Sequence, residues 1–445
     1  MKKMIPEITK QQLESSSNIM YKMMKILYPI CRSITGNGVR KTLEIIKNEI
    51  PIQTFEIPTG TPVLDWTIPK EWNIYDAYIK NSNGEKIIDF KNSNLSILNY
   101  SIPVHKKISF EELKDHLFYL QNQPDLIPYR TSYYNENWGF CLPYNLFCKL
   151  DPKDEYEVFI DSTLESGSLT YGESFLKGEL DQEIVFSCYI CHPSLCNDNL
   201  SGPVLLLSLI NILSKIKLKY SYRFLFIPET IGAIAWLHNN LGRLSKIIGG
   251  FVVTCIGDSG PFTYKKTRVG NSYIDKVVKK ALKDSNLTYK IREFDPHGSD
   301  ERQFSSPGFN LNFGSLMRTP YAEYPEYHTS ADNLNFIRKE NLASSLKIYY
   351  DVIKIIETDG IYINKYPHGE PQLGRRGLYD EIGGHSDLSN LKKCIFWVLN
   401  FSDGNHSLLD ISLKAKENYN VIKLATDLLL KKDILIEKEN FKNPL

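Results

Sequence analysis

The strongest constraint on this chain is a pattern that recurs between residues 183 and 260: an apolar run stops at a short polar elbow. "EIVFSCYI" stops at Cys191-His192-Pro193 and passes through Asp198 into the apolar "VLLLSLINILSKI". "SYRFLFIPET" stops at Pro228-Glu229 before "GAIAWLHNNLGRL", and "KIIGGFVVTCIGDSG" stops at Gly257-Asp258. Strands apolar along their whole length, alternating with helical segments, predict an α/β fold with a mostly parallel sheet covered on both faces. Ligands of such open sheets bind beyond the carboxyl ends of the strands. One acidic residue after a strand is ordinarily a helix cap. Three strand ends that together carry His192, Asp198, Glu229 and Asp258 point instead to a shared site.

Other readings of the elbow are weaker. "CYICH" has the spacing of a covalent haem attachment, but its cysteines sit in and beside a strand. Cys188, Cys191, His192 and Cys196 as a structural zinc set would place Cys188 and Cys191 on opposite faces of that strand. A purely structural strand, turn and helix remains open if the elbow is taken alone. The formal net charge is +1, so nothing global favours nucleic acid or an anionic membrane. No run approaches the roughly 18 uninterrupted apolar residues of a membrane span. The first residues lack the apolar centre of a secretory signal, and the eight cysteines form no disulfide framework. The expected location is the cytoplasm, with no membrane partner.

A fourth element adds His328, in the loop "YPEYHTSADNL" ahead of an amphipathic helix. Histidine with carboxylates is a donor set that suits zinc. In this order, His192, Asp198-Asn199-x-Ser-Gly, Glu229, Asp258, "GSDERQF" and "YHTSAD" resemble the zinc aminopeptidases of the bacterial leucyl aminopeptidase and glutamate carboxypeptidase type. That resemblance runs roughly from Gly167 to Asp359. The whole chain is similar to a bacterial subgroup labelled polysaccharide biosynthesis protein with an aminopeptidase-like domain, through "CHPSLxNDNLSG", "GSDERQF", "GSLMRTPYxEYPEYHTSADNL" and a C-terminal winged helix. The resemblance implies a three-layer α/β/α aminopeptidase-like (phosphorylase/hydrolase-like) domain. It further implies that His192 and Asp258 hold one metal, Asp198 bridges, and His328 holds a second. Glu229 would be the general base for the attacking water, and the reaction hydrolysis of an amide next to a free amino group.

Two departures bear on this. Where that family has a second glutamate after the base, this chain has Thr230, a poor zinc ligand. The carboxylate that usually follows the first histidine by two residues is Ser194. One firmly held zinc is therefore expected; a second would be weak, absent, or completed by another acid such as Glu323 or Glu326. The competing class is a metal-binding regulatory or assembly protein of envelope polysaccharide synthesis that does not turn over.

The rest of the chain sorts into accessory parts. Residues 62–160 carry alternating strands and turn signals and predict an inserted, mainly β domain, a natural lid. The aminopeptidase-like domain is then discontinuous, 1–61 and 161–384. Asp300, Arg302, Arg318 and Tyr321 are candidate substrate contacts, since arginine can clamp a carboxylate with two bonds; an internal ion pair with Glu301 or Glu323 is the rival reading for each arginine. Residues 385–445 predict a winged helix-turn-helix. From Ser386 onward it has nine Lys and no Arg against eight Asp and Glu. A DNA reader usually shows a basic face with arginine for base edges, so a protein partner is favoured over DNA. The substrate class is a small peptide or aminoacyl compound, and a homo-oligomer is open.

Overall fold

In a computed structural model, the structure describes residues 5–378 and 386–438. Its centre is an eight-stranded sheet made of β1 (Gln53–Pro58), β2 (Ser168–Leu176), β3 (Glu183–Tyr189), β4 (Ser221–Ile227), β5 (Ile247–Val252), β6 (Phe262–Lys265), β7 (Tyr289–Arg292) and β8 (Phe313–Met317). The order is β1-β2-β4-β3-β5-β8-β6-β7, and the middle four strands run parallel. Every residue of β3, β4 and β5 is buried, which is why their sequences are apolar without alternation.

Alternate residues of these strands feed two separate cores. Phe186, Cys188, Phe224 and Phe251 join Leu27, Leu205, Leu346 and Ile353 from the helices Lys10–Leu27, Ser201–Leu213 and Lys339–Thr358. Val185, Leu225, Ile227 and Val252 join Trp236 of the helix Ile231–Asn239 on the other face. The result is the three-layer arrangement expected. The one charge in the middle of β4, Arg223, is buried and binds Glu183 through Nε and Nη2 at 2.7 and 3.0 Å, with Glu173 on Nη1. A buried guanidinium persists only with such pairing.

The insertion forms its own antiparallel sheet, in the order Lys86–Asp89, Glu71–Lys80, Glu155–Glu165, Val104–Ser109. Ala77, Ile79, Ile108, Phe140, Tyr156 and Val158 are among its core residues. At the other end, helices Ser386–Phe401, Leu408–Ala415 and Tyr419–Lys431 pack with strands Asp403–Ser407 and Leu435–Glu437. The middle strand of that sheet is Ile361–Asn364. It precedes the expected boundary at residue 385, which itself lies outside the described residues. A four-residue strand leaves too little periodicity to be read before its partners are known. This domain is fastened to the large one: Asp359 Oδ1 accepts Leu409 N–H at 3.0 Å, and Asp284 Oδ2 accepts Tyr419 N–H at 2.8 Å.

Candidate metal centre

The elbow after β3 is built by its own polar residues. Asn197 Oδ1 accepts Gly257 N–H at 2.9 Å, and Asn199 Oδ1 accepts Gly202 N–H at 3.0 Å. A Cβ on Gly202 would lie 2.4 Å from the Val253 carbonyl oxygen, so only glycine lets the following helix approach the sheet this closely. The Asp332 carboxylate then accepts three successive backbone N–H groups, from Cys196 (3.2 Å), Asn197 (2.6 Å) and Asp198 (2.9 Å). Since Asp332 follows His328 by four residues, one side chain ties the two histidine-bearing loops together. Burial pushes its carboxyl up to about 8, but both oxygens face only N–H donors, which favours the ionised form.

At the strand ends His192, Asp198 and His328 converge, with one ligand atom from each lying within 4.8 Å of the others. Asp198 Oδ2 is 2.9 Å from His328 Nε2 and 3.9 Å from His192 Nε2. The other oxygen, Oδ1, accepts a hydrogen bond from Tyr189, whose hydroxyl also meets Thr254 Oγ1 at 2.6 Å. Burial holds the His192 imidazole down at about 4, neutral and able to coordinate. Burial raises the Asp198 carboxyl, yet His192, His328 and the Tyr189 hydroxyl outweigh it and hold it below the ordinary range. Two imidazole nitrogens and a carboxylate oxygen fit zinc, with a coordination position left over.

Glu229 stands beside this group, Oε2 at 3.9 Å from His192 Nε2 and its side chain 27% exposed. Ser299 donates to its Oε1 at 2.9 Å. Its carboxyl is pushed well above the ordinary range by burial, then by the charges of Asp300 and Asp198. Thr230, next in the chain, has φ +62°, and His328 and Cys255 have φ +53° and +51°. Non-glycine residues held in the left-handed region cost energy and gather at functional sites.

Asp258 does not join the group. The chain leaves β5 at Val252 and turns through left-handed Cys255, so Thr254, not Asp258, reaches the Tyr189 hydroxyl. Asp258 instead accepts from Asn197 Nδ2 (3.1 Å), Gly260 N–H (2.6 Å) and the Thr319 hydroxyl (2.6 Å), bracing the loops behind the site. Arg318 is also a brace: it donates to the Gly260 carbonyl (2.8 Å) and Ser345 (3.2 Å) and lies over the Phe262 ring. Tyr321 is held by Lys265 and by Glu301 Oε1 at 3.1 Å. Asp300 is buried, with Oδ1 accepting Thr230 N–H at 2.7 Å and its carboxyl pushed up to about 7 by burial. Glu323, a candidate to complete a second metal position, pairs with Arg292. Among the described residues no other acid joins the three ligands.

The insertion does reach the site. Tyr129 places its ring 5.1 Å from His192 and 5.0 Å from His328, and its N–H donates to the His328 carbonyl at 2.7 Å. Its hydroxyl meets that of Tyr133 at 2.7 Å. Tyr327 stacks on His328 at 3.9 Å. Sequence reasoning missed Tyr129, Tyr133, Tyr189 and Asp332. Tyr189 reads as one more apolar strand residue, while Asp332 was visible only as the end of "YHTSAD".

The profile of a family described as domain of unknown function DUF4910 matches residues 21–359, and one described as winged helix-turn-helix matches 360–437. A Clostridium acetobutylicum protein, provisionally named a polysaccharide biosynthesis protein with aminopeptidase-like domain, is 53% identical over 96% of this chain and 98% of its own. A crystal structure from the same species, of a protein provisionally described as a peptidase, has TM-score 0.92 at 52% identity, covering 96% of this chain and 98% of that one. A zinc aminopeptidase from Bacillus subtilis has TM-score 0.57 at 12% identity over 79% of this chain and 95% of its own, a likeness of fold.

Proposed function

From a chain that belongs to the DUF4910 family and ends in a winged helix-turn-helix, we propose a hydrolase of the zinc aminopeptidase-like superfamily that uses one zinc to cleave an amide beside a free amino group. The observation that carries this is the convergence of His192, Asp198 and His328 at 4.8 Å or less, with the Glu229 carboxylate at their side. Zinc held there supplies Lewis acidity and lowers the pKa of water to about 7.

The chain's own groups do the rest. Glu229 takes a proton at Oε2 and returns it to the leaving nitrogen, while the Ser299 hydroxyl fixes Oε1 so that the free oxygen faces the ligands. Tyr129, brought by the insertion, packs its ring against both histidine rings and helps hold them in place.

A single metal is the reading the donors support. Asp198 Oδ1 already accepts from the Tyr189 hydroxyl, which also meets Thr254 Oγ1, and Thr230 stands where the resembling family has a second glutamate. Eight cysteines, all free, fit a reducing compartment, and we assign the cytoplasm. Among the described residues no helix is long and apolar enough to cross a membrane. The winged helix is read as a protein-contact module: Leu424 of its third helix is exposed and Lys423 is paired with Asp427.

The test is elemental analysis of protein purified without chelator, joined to hydrolysis of a panel of dipeptides and aminoacyl anilides. About one zinc per chain and cleavage lost in Glu229→Gln support the proposal. Zinc retained in both His192→Ala and His328→Ala refutes the site, and zinc bound without cleavage of any substrate favours the non-catalytic reading.

A further inference from the structure

His192 has little around its ring nitrogens to aim it. A metal-binding histidine ordinarily donates its second ring N–H to a carboxylate or a carbonyl. Among the described residues His192 Nδ1 meets only Cys191 Sγ, at 3.4 Å. Ser194, two residues on, turns away and donates to the Tyr28 carbonyl at 2.7 Å. The sheet gives no support either. β3 ends at Tyr189, Ile190 N–H makes one last bond to the Ile227 carbonyl at 2.9 Å, and the residue after His192 is a proline without an N–H.

What holds this stretch is Arg32. Its Nε donates to the His192 carbonyl at 2.8 Å and its Nη1 to the Leu27 carbonyl at 2.7 Å, so one guanidinium spans from the end of the helix Lys10–Leu27 to the candidate ligand. The Arg32 carbonyl accepts from Asn99 Nδ2 at 2.9 Å, and the Asn99 N–H donates to the Arg130 carbonyl at 2.9 Å, next to Tyr129. The Leu27 carbonyl has a second donor, Ile30 N–H at 3.2 Å, whereas among the described residues the His192 carbonyl has no other.

This guanidinium is 1% exposed, yet among the described residues its Nη2 has no partner and no carboxylate pairs with it. Arg223, by comparison, is matched by Glu183 and Glu173. A buried cation without a counter-ion costs stability, and bonds to neutral carbonyls offset only part of that cost.

Resting on the zinc reading above, we propose that Arg32 is a positioning residue for the metal centre: its guanidinium fixes the His192 backbone so that Nε2 stays turned toward Asp198 and Glu229, at a cost in fold stability. Nε2 is 3.9 Å from each of those carboxylates, and an untethered peptide at His192 lets the ring swing away from them. Arg32 itself touches neither metal nor substrate.

The test measures two properties that this assignment separates. Zinc affinity, by competition with a chromogenic chelator, and the melting temperature of the metal-free full chain are compared for wild type, Arg32→Met and Arg32→Lys. Arg32→Met is expected to bind zinc about 10- to 100-fold more weakly, with a melting temperature no more than about 4 °C below wild type. Arg32→Lys keeps the charge but not the fork that spans two carbonyls, and should regain part of the zinc affinity. A zinc affinity of Arg32→Met within about twofold of wild type overturns the proposal. So does a fall in melting temperature beyond about 4 °C, or a failure to fold, because the guanidinium is then an ordinary part of the core. His192→Ala checks the zinc reading separately. Wild type that binds no zinc, or His192→Ala that binds it as tightly as wild type, refutes the metal centre itself and leaves Arg32 nothing to position.

Discussion

Replacing Asp332 by alanine should unfasten the elbow that carries Asp198 and weaken zinc binding without removing any ligand. The carboxylate accepts N–H groups of residues 196, 197 and 198 at 3.2, 2.6 and 2.9 Å, all buried. A hydrogen bond to a charged acceptor contributes about 1.5 kcal/mol or more, and the Asn197 and Asp198 N–H groups would be left without a partner, while that of Cys196 keeps the Asp332 backbone carbonyl at 2.9 Å. Relief from burying the carboxylate, whose desolvation already raises its carboxyl to about 8, offsets part of this. A net loss of about 2–4 kcal/mol follows from the two groups. Asp332→Asn should fall between, because an amide keeps one accepting oxygen where the carboxylate used two. The assays are urea unfolding of the metal-free proteins and zinc affinity by competition with a chromogenic chelator. Loosening of a supporting group of this kind typically costs about 10- to 100-fold in metal affinity. A loss in Asp332→Ala of under about 1 kcal/mol, well below even one such bond to a charged acceptor, with zinc affinity within about twofold of wild type, would refute the reasoning.

Tyr189→Phe removes the donor to Asp198 Oδ1 but keeps the ring; the competition assay should show zinc held about 10- to 100-fold less tightly, with the fold intact by circular dichroism. Glu229→Gln should leave zinc content and melting temperature close to wild type while lowering turnover about 10²- to 10⁴-fold, read from initial rates on whichever dipeptide the wild type cleaves. Glu71 is held at about 2 chiefly by its hydrogen bonds from Arg40; a depressed carboxylate adds stability above the unfolded value near 4.5 and loses it as pH falls toward 2. Glu71→Gln should accordingly be less stable than wild type at pH 7 and converge with it near pH 2, seen as melting curves across that range.

What the sequence determined by itself was the architecture and the edge of the sheet where chemistry belongs. Fully apolar strands such as "EIVFSCYI" and "SYRFLFI" can be buried only in a parallel sheet covered on both faces, and the residues that stop them must lie at its carboxyl edge. His192, Asp198 and Glu229 were candidates for that reason, whereas His328 was read only from its loop ahead of a helix, and Thr230 from the gap it leaves in the resembling family's donor set. Tertiary structure decided which of the residues at that edge meet. Asp258 sits six residues past the end of β5, and the turn through Cys255 sends it to Thr319 and leaves Thr254 at the site. Arg318 and Arg302 look alike as sequence; one is consumed by carbonyls and hydroxyls, and the other makes a single long bond to the Thr230 hydroxyl. Tyr129 is about sixty residues from the nearest ligand in the chain, and only the folding of the insertion onto the His328 loop brings it there. Periodicity and strand ends are local properties and survive in one dimension, whereas the partner of a side chain depends on turns whose direction a few backbone angles fix.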